Sequence, residues 1–300
     1  MKAILLGAGF SRWAANLPTA DKLFDMQIQV RHRSESRKLE LLRKTFDSWY
    51  QKEPQQQAEQ FVVWCHKKSG VIWKRLVWYV TRRLSEPFFD GRAIGRQTYM
   101  IDDSKSSFLP GVVNARRYLN SIPQQRLSGI LTTNYDLLIE HALTTKRFHY
   151  GRSGERLLGR GKNLFFPWQG AHPELTGRLP LAKLHGSLSW DREYRYTDGR
   201  AGIMGNALIV PPLPEKKPPS ELVDVWRLAE QILSQSESLT VFGFAFNKYD
   251  VAILNLLRRC GKQLRRVEVI DVDATKGSLA KSIWPLAEVI TRRPPYCLDV

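Results

Sequence analysis

Cysteine is scarce in this chain. Cys65, Cys260 and Cys297 are the only three among 300 residues, too few and too widely spaced for a disulfide framework or a Cys-x-x-Cys zinc clasp. Long apolar runs are missing too: nothing approaches the roughly 18–20 residues of a membrane-spanning helix, so no membrane association is expected. The apolar start, residues 1–10, is interrupted by Gly7 and Gly9 and lacks a small-residue cleavage site, which argues against a secretory leader and for a cytoplasmic protein. Acidic residues are in deficit, 29 against 46 Lys and Arg, leaving a net charge of +17. Such a potential attracts nucleic acid, anionic lipid or an acidic protein surface. The excess is regional, with 19 basic and 9 acidic residues between Arg31 and Arg126. What remains, 43% hydrophobic and 25% charged, can enclose a sizeable core and excludes a disordered or fibrous chain.

Short apolar runs ending in glycine or polar clusters recur along the chain. Residues 2–6 stop at Gly7, residues 127–131 deliver Thr132 to Asp136, and residues 181–184 end at His185 and Gly186. Residues 207–210 stop at Pro211, residues 239–242 lead into Gly243, and residues 267–270 end at Asp271. Helical periodicity fills residues 137–143, 221–233 and 251–260, the last closed by Gly261. Strands alternating with helices predict an α/β, Rossmann-like parallel sheet whose ligand crevice lies beyond the carboxyl ends of the strands. Between residues 31 and 123 the pattern changes to helical spacing, with a link at Gln55–Gln57 and an irregular connection over 91–109. We read residues 1–30 and 124–300 as the core and 31–123 as a basic helical insertion.

The candidate chemistry sits at the strand ends. The backbone of Gly7, Ala8, Gly9, Phe10 and Ser11 can approach a pyrophosphate at a helix N-terminus, but Arg12 replaces the third glycine of a dinucleotide fingerprint, and the segment is equally a plain turn. Thr133, Asn134 and Asp136 can hold ribose hydroxyls or a carboxamide, or simply cap the next helix. His185, one of six histidines, stands beside Gly186 and is a candidate base. Gly243 can admit an adenosine half, with Phe244 after it, and Asp271 can accept from a ribose diol; the bland readings are relief of crowding and a turn.

In their order, Gly7-Ala8-Gly9-Phe10-Ser11, Leu17-Pro18-Thr19, Thr132-Thr133-Asn134-Tyr135-Asp136, Lys183-Leu184-His185-Gly186-Ser187 and Gly243-Phe244-Ala245-Phe246 resemble the successive signatures of the sirtuin-like NAD-binding family. The resemblance covers both ends and the middle of the chain and leaves out the basic helical third. It implies that Ala8, Gly9 and Ser11 contact phosphates, that Phe10 borders the nicotinamide ribose, that Thr133 binds the cofactor, and that Asn134 holds a ribose hydroxyl or a water. It further implies that Asp136 binds the carboxamide, that His185 is the base, that Gly243 and Asp271 face the adenosine side, and that Phe244 is among the cofactor-binding residues.

Two departures alter the implied activity. Protein deacetylases of this family carry two Cys-x-x-Cys pairs that hold zinc after the catalytic histidine, whereas residues 186–259 here contain no cysteine, so no metal is expected. The long helical segment is the second departure. Both resemble bacterial sirtuin-like effectors that hydrolyse NAD, as a substrate, during antiviral defence, usually as homo-oligomers or beside a partner ATPase, helicase or Argonaute-type protein. The expected reaction is therefore NAD hydrolysis to nicotinamide and ADP-ribose. An NAD-dependent lysine deacylase is the nearer alternative. The other is a non-enzymatic nucleic-acid-binding module: Lys67, Lys68, Lys74, Arg75, Arg82 and Arg83 interleave with Trp73, Trp78 and Tyr79, which would stack bases, or else form a solvated face over buried aromatics.

Overall fold

The computed structural model describes the chain except residues 20–21, 29, 31–32, 55–57, 86–109, 144–146, 152–176, 192–206, 212–219 and 297–300. Cys297, the link at 55–57 and the connection over 91–109 lie outside the described residues. A seven-stranded sheet in the order β3-β4-β2-β1-β7-β8-β9 organises the molecule, and all its pairings are parallel. Its strands are β1 (Lys2–Leu6), β2 (Leu127–Thr132), β3 (Phe148–His149), β4 (Leu179–Lys183), β7 (Ser238–Phe242), β8 (Arg266–Ile270) and β9 (Glu288–Arg292). β1 is central: Leu6 pairs with Thr132 on one side and with Phe242 on the other, which brings the ends of β1, β2 and β7 to one level. Continuous apolar strands suit this position, because helices cover both faces of a parallel sheet, and Ala3 through Leu6 are all fully buried.

Helices α1 (Ala8–Ala15), α5 (Pro110–Asn120) and α6 (Leu138–Leu143) pack in series, while α7 (Val223–Ser234), α8 (Val251–Cys260) and α9 (Thr275–Ile283) form a second series over β2, β4, β8 and β9. α9 and β9 escape the sequence periodicity because β9 is a half-exposed edge strand and α9 is short. The expectation that residues 207–210 join the parallel sheet fails. β6 (Ala207–Ile209) instead pairs antiparallel with β5 (Gly186–Asp191) in a separate ribbon. Gly186 turns the chain into that ribbon at φ 86°, and a Cβ there would lie 1.9 Å from the Leu208 carbonyl oxygen.

Helices α2 (Arg33–Lys52), α3 (Ala58–Lys68) and α4 (Gly70–Ser85) have their own core, which also takes in Leu23, Phe24, Met26 and the ribbon residues Leu188 and Ile209. Packing divides the chain differently from the sequence reading: α5, inside the segment 31–123, contributes Val112, Ala115 and Leu119 to the sheet core. The basic face of α4 also differs from expectation. Trp78 and Tyr79 are buried, and Tyr79 donates to the Leu23 carbonyl while accepting from the Met26 N–H. Arg82 is buried beside Glu35, and Arg83 makes a two-pronged bond to Asp25. A helix packed on nearly all sides turns its aromatics inward, so neither Trp78 nor Tyr79 can stack a base.

Candidate active site

A cavity of 1210 Å³ opens where β1, β2, β4 and β7 end, roofed by α2 and α3. Ala8, Gly9, Ser11, Thr133, Asn134, Asp136, His185, Gly243, Phe244 and Asp271 all line it, so segments separated by more than 100 residues meet in one crevice. Phe10 does not. It is fully buried against Phe242, Tyr118 and Trp13, because α1 begins immediately after Gly7 and its 100° step per residue turns position 10 toward the sheet while positions 8 and 11 face the cavity.

A hydrogen-bonded chain fixes the central polar groups. The Asn134 Nδ2 donates to the Gly7 carbonyl and to Ser11 Oγ, each at 2.9 Å, which leaves its side-chain oxygen for a hydroxyl or water. Ser11 Oγ in turn donates to Asp136 Oδ2 at 2.8 Å, and Asp136 Oδ1 accepts from the Leu138 N–H at the start of α6. Asp136 thus also serves as the helix cap anticipated as its bland role. Burial raises its carboxyl above the usual aspartate range, opposed by Lys183, the Leu138 N–H and Ser11. Behind it, the fully buried Lys183 ammonium donates to the Asp136 carbonyl and to Glu140 at 2.8 Å, with the Tyr150 hydroxyl on the same Glu140 oxygen. This buried ion pair anchors the β2–α6 turn to β4.

His185 follows β4 and is held at its backbone. Its carbonyl accepts from the Val210 N–H, and the preceding Leu184 carbonyl accepts from the Trp226 indole. The Tyr135 ring lies 6.2 Å from the imidazole, centroid to centroid, with its hydroxyl on the Val210 carbonyl. His185 Nε2 stands 3.1 Å from Asp250 Oδ2, at ion-pair distance.

The loop at residues 7–11 is tighter than the sequence reading implied. Gly9 N–H donates to the Gly243 carbonyl and Phe10 N–H to the Gly7 carbonyl, so these two donors are committed within the protein. Gly243 adopts φ 62°, and a Cβ on it would lie 2.3 Å from the Phe10 nitrogen; its glycine character serves loop-on-loop contact. No side chain caps α1, whose N-terminus opens toward the cavity through the exposed Ala8. Asp271 accepts from the Asp273 N–H, the turn role anticipated as its alternative, while still lining the cavity.

Several lining residues escaped the sequence. Asp250 precedes an apolar helix and looks like a cap. Arg12, Lys276 and Arg293 lack any motif, and Glu59, Phe46, Trp49 and Tyr50 belong to the helical segment. Charge is sorted along the sheet. Asp136 and Asp250 belong to the β2–β4 side through His185, and Glu59 joins them because both it and Asp250 act electrostatically on Tyr135. Lys276 and Arg293 follow β8 and β9 at the opposite side, together with the carboxylate Asp271, and Arg12 on α1 lies between. Among the described residues no group of His, Cys, Asp and Glu has the arrangement of a metal site.

Comparison with known proteins gives a SIR2-like domain over residues 128–266. No curated protein matches. Among solved structures, a Sir2 homolog–NAD complex aligns at 17% identity over 97% of this chain and 83% of that one, with a TM-score of 0.39. A Sir2 in complex with an inhibitor, 2′-O-acetyl-ADP-ribose and a deacetylated peptide aligns at 13% identity over 97% and 87%, with the same TM-score of 0.39.

Proposed function

We propose, from the premise that this chain carries a SIR2-like domain of the sirtuin-like NAD-binding family, that it hydrolyses NAD to nicotinamide and ADP-ribose. The observation that carries the reading is the sorting of charge in the cavity: carboxylates Asp136, Asp250 and Glu59 gather at the His185 end, Lys276 and Arg293 outnumber Asp271 at the other, and Arg12 lies between. A dinucleotide has the matching polarity, a cationic pyridinium at one end and an anionic pyrophosphate beyond it. The residues fit such a ligand, since the uncapped α1 N-terminus and Arg12 suit phosphate and Asp136 suits a carboxamide.

In this reading the C1′–N bond to nicotinamide breaks with its electron pair leaving on the neutral pyridine, and a water oxygen bonds to C1′. His185 accepts the water proton. Asn134 orients the ribose or the water through its side-chain oxygen, and nearby carboxylates favour the positive charge that develops on the ribose. The resemblance in sequence supports an oligomeric effector of antiviral defence, restrained by or coupled to a partner protein, as the setting for this activity.

Chromatography of products after incubation with NAD tests the proposal. Nicotinamide and ADP-ribose in equal amounts are expected, with turnover lowered about 10²-fold or more in His185→Ala and in Asn134→Ala. NAD left intact, or an Asn134→Ala variant as active as wild type, would overturn it. Formation of O-acyl-ADP-ribose in proportion to NAD loss, on addition of an acylated peptide, would assign deacylation instead.

A further inference from the structure

Asp250 sits at the N-cap of α8, where an aspartate ordinarily accepts from the first N–H groups of its helix. Here it makes no side-chain cap bond. Its carboxylate points instead at His185, Oδ2 lying 3.1 Å from Nε2, with both side chains about 95% buried (5% and 6% exposed). The other oxygen, Oδ1, has no hydrogen-bond partner, and no lysine or arginine pairs with Asp250 among the described residues. Burying a carboxylate without a cation or full hydrogen bonding is costly, so packing does not account for it.

Its position is nevertheless fixed. The Asp250 N–H donates to the Asn247 carbonyl, the Asn247 side chain accepts from the Tyr249 N–H, and the Asn247 Nδ2 donates to Glu59 on α3 at 3.2 Å. The helical segment thereby props the turn that presents the carboxylate. The backbone that carries the imidazole is fixed as well, by the Val210 bond to the His185 carbonyl and the Trp226 bond to the preceding one.

We infer that Asp250 is the positioning residue of a His–Asp dyad. Its carboxylate accepts the Nε2 proton of His185, which leaves Nδ1 as the atom that takes a proton from the attacking water. It also balances the imidazolium formed as that proton arrives. The inference rests on the proposed hydrolysis for its chemistry, but the tautomer it specifies is a property of the unliganded protein.

Two measurements test it. In nitrogen-15 spectra of the imidazoles, with His185 assigned by comparison with His185→Gln, the wild-type ring should carry its proton on Nε2, and Asp250→Asn should lose that preference. In steady-state kinetics Asp250→Asn should lower kcat by up to about 10⁴-fold, the loss seen when the orienting aspartate of a Ser-His-Asp array becomes asparagine. KM should change little, and Asp250→Glu should recover part of kcat. A His185 proton on Nδ1 in the wild type, or an Asp250→Asn variant with wild-type kcat, overturns the dyad. Should wild type leave NAD intact, the proposed function falls while the spectra still decide the pairing. Should Asp250→Asn fail to fold, the wild-type spectrum and Asp250→Glu suffice.

Discussion

Asp136 carries a tension between stability and use. Its carboxyl is raised by burial, so above the ordinary aspartate range the unfolded chain releases its proton before the folded one, and stability is lost as pH rises through the folded value. Asp136→Asn keeps an acceptor for the Leu138 N–H and removes that loss. The variant has no acceptor for the Ser11 hydroxyl in place of Oδ2, so the expected sign lies in the slope: its melting temperature should fall less than that of wild type as pH rises from 4 toward neutral, while turnover of NAD falls; thermal melts across pH together with product chromatography check both halves. His141 behaves in the opposite sense. Burial, with Arg116 and Lys183 nearby, lowers its imidazole from 6.5 to about 3. The unfolded state therefore takes up a proton that the folded state refuses, and stability is lost as pH falls from 6.5 toward 3, at about 1.4 kcal/mol per pH unit from this group. Urea titrations at several pH values should find that slope reduced in His141→Gln. Sequence alone conveyed that Asp136 and His185 stood beside strand ends. It conveyed nothing of Asp250, because the same residue type before an apolar helix has a commoner use as a cap.

At the scale of elements, the site depends on the turns at Gly186 and Gly243, where one chain segment lies directly on another. Gly186 redirects the chain after His185 into the β5–β6 ribbon, and that ribbon packs on α4. Gly186→Ala forces a Cβ into the Leu208 carbonyl at a left-handed φ, which should cost about 2 kcal/mol or more. A lower denaturant midpoint is expected, along with displacement of His185 and loss of turnover. The strands bearing motifs were legible since buried parallel strands read as continuous apolar runs. The antiparallel partnership of β5 with β6 was not, because a three-residue apolar run such as Ala207–Ile209 carries no mark of its direction or neighbour. The same limit applied to α4, whose cations and aromatics alternate in sequence although Arg82, Arg83, Trp78 and Tyr79 are drawn inward by Glu35, Asp25 and the core.

Across the whole molecule, the +17 charge says little about the cavity, whose two ends differ in their balance of charge. Reversing the cationic end with Lys276→Glu and Arg293→Glu together should weaken binding of ADP-ribose at least several-fold at low ionic strength and less at high salt, with the fold unchanged. Calorimetric titration at two salt concentrations measures this, and equal affinity in variant and wild type would show that the cations do not face the phosphates. The amino-acid order determined the parallel α/β architecture and the polar residues at its strand ends, since burial on both faces and a turn after each strand leave a local imprint. Tertiary structure decided the rest: that Phe10 faces the core, that α5 joins the sheet, that Glu59 reaches the cavity from a separate helical layer and that Asp250 meets His185. Those outcomes depend on the distance and direction between residues far apart along the chain, and neither quantity is encoded in local periodicity.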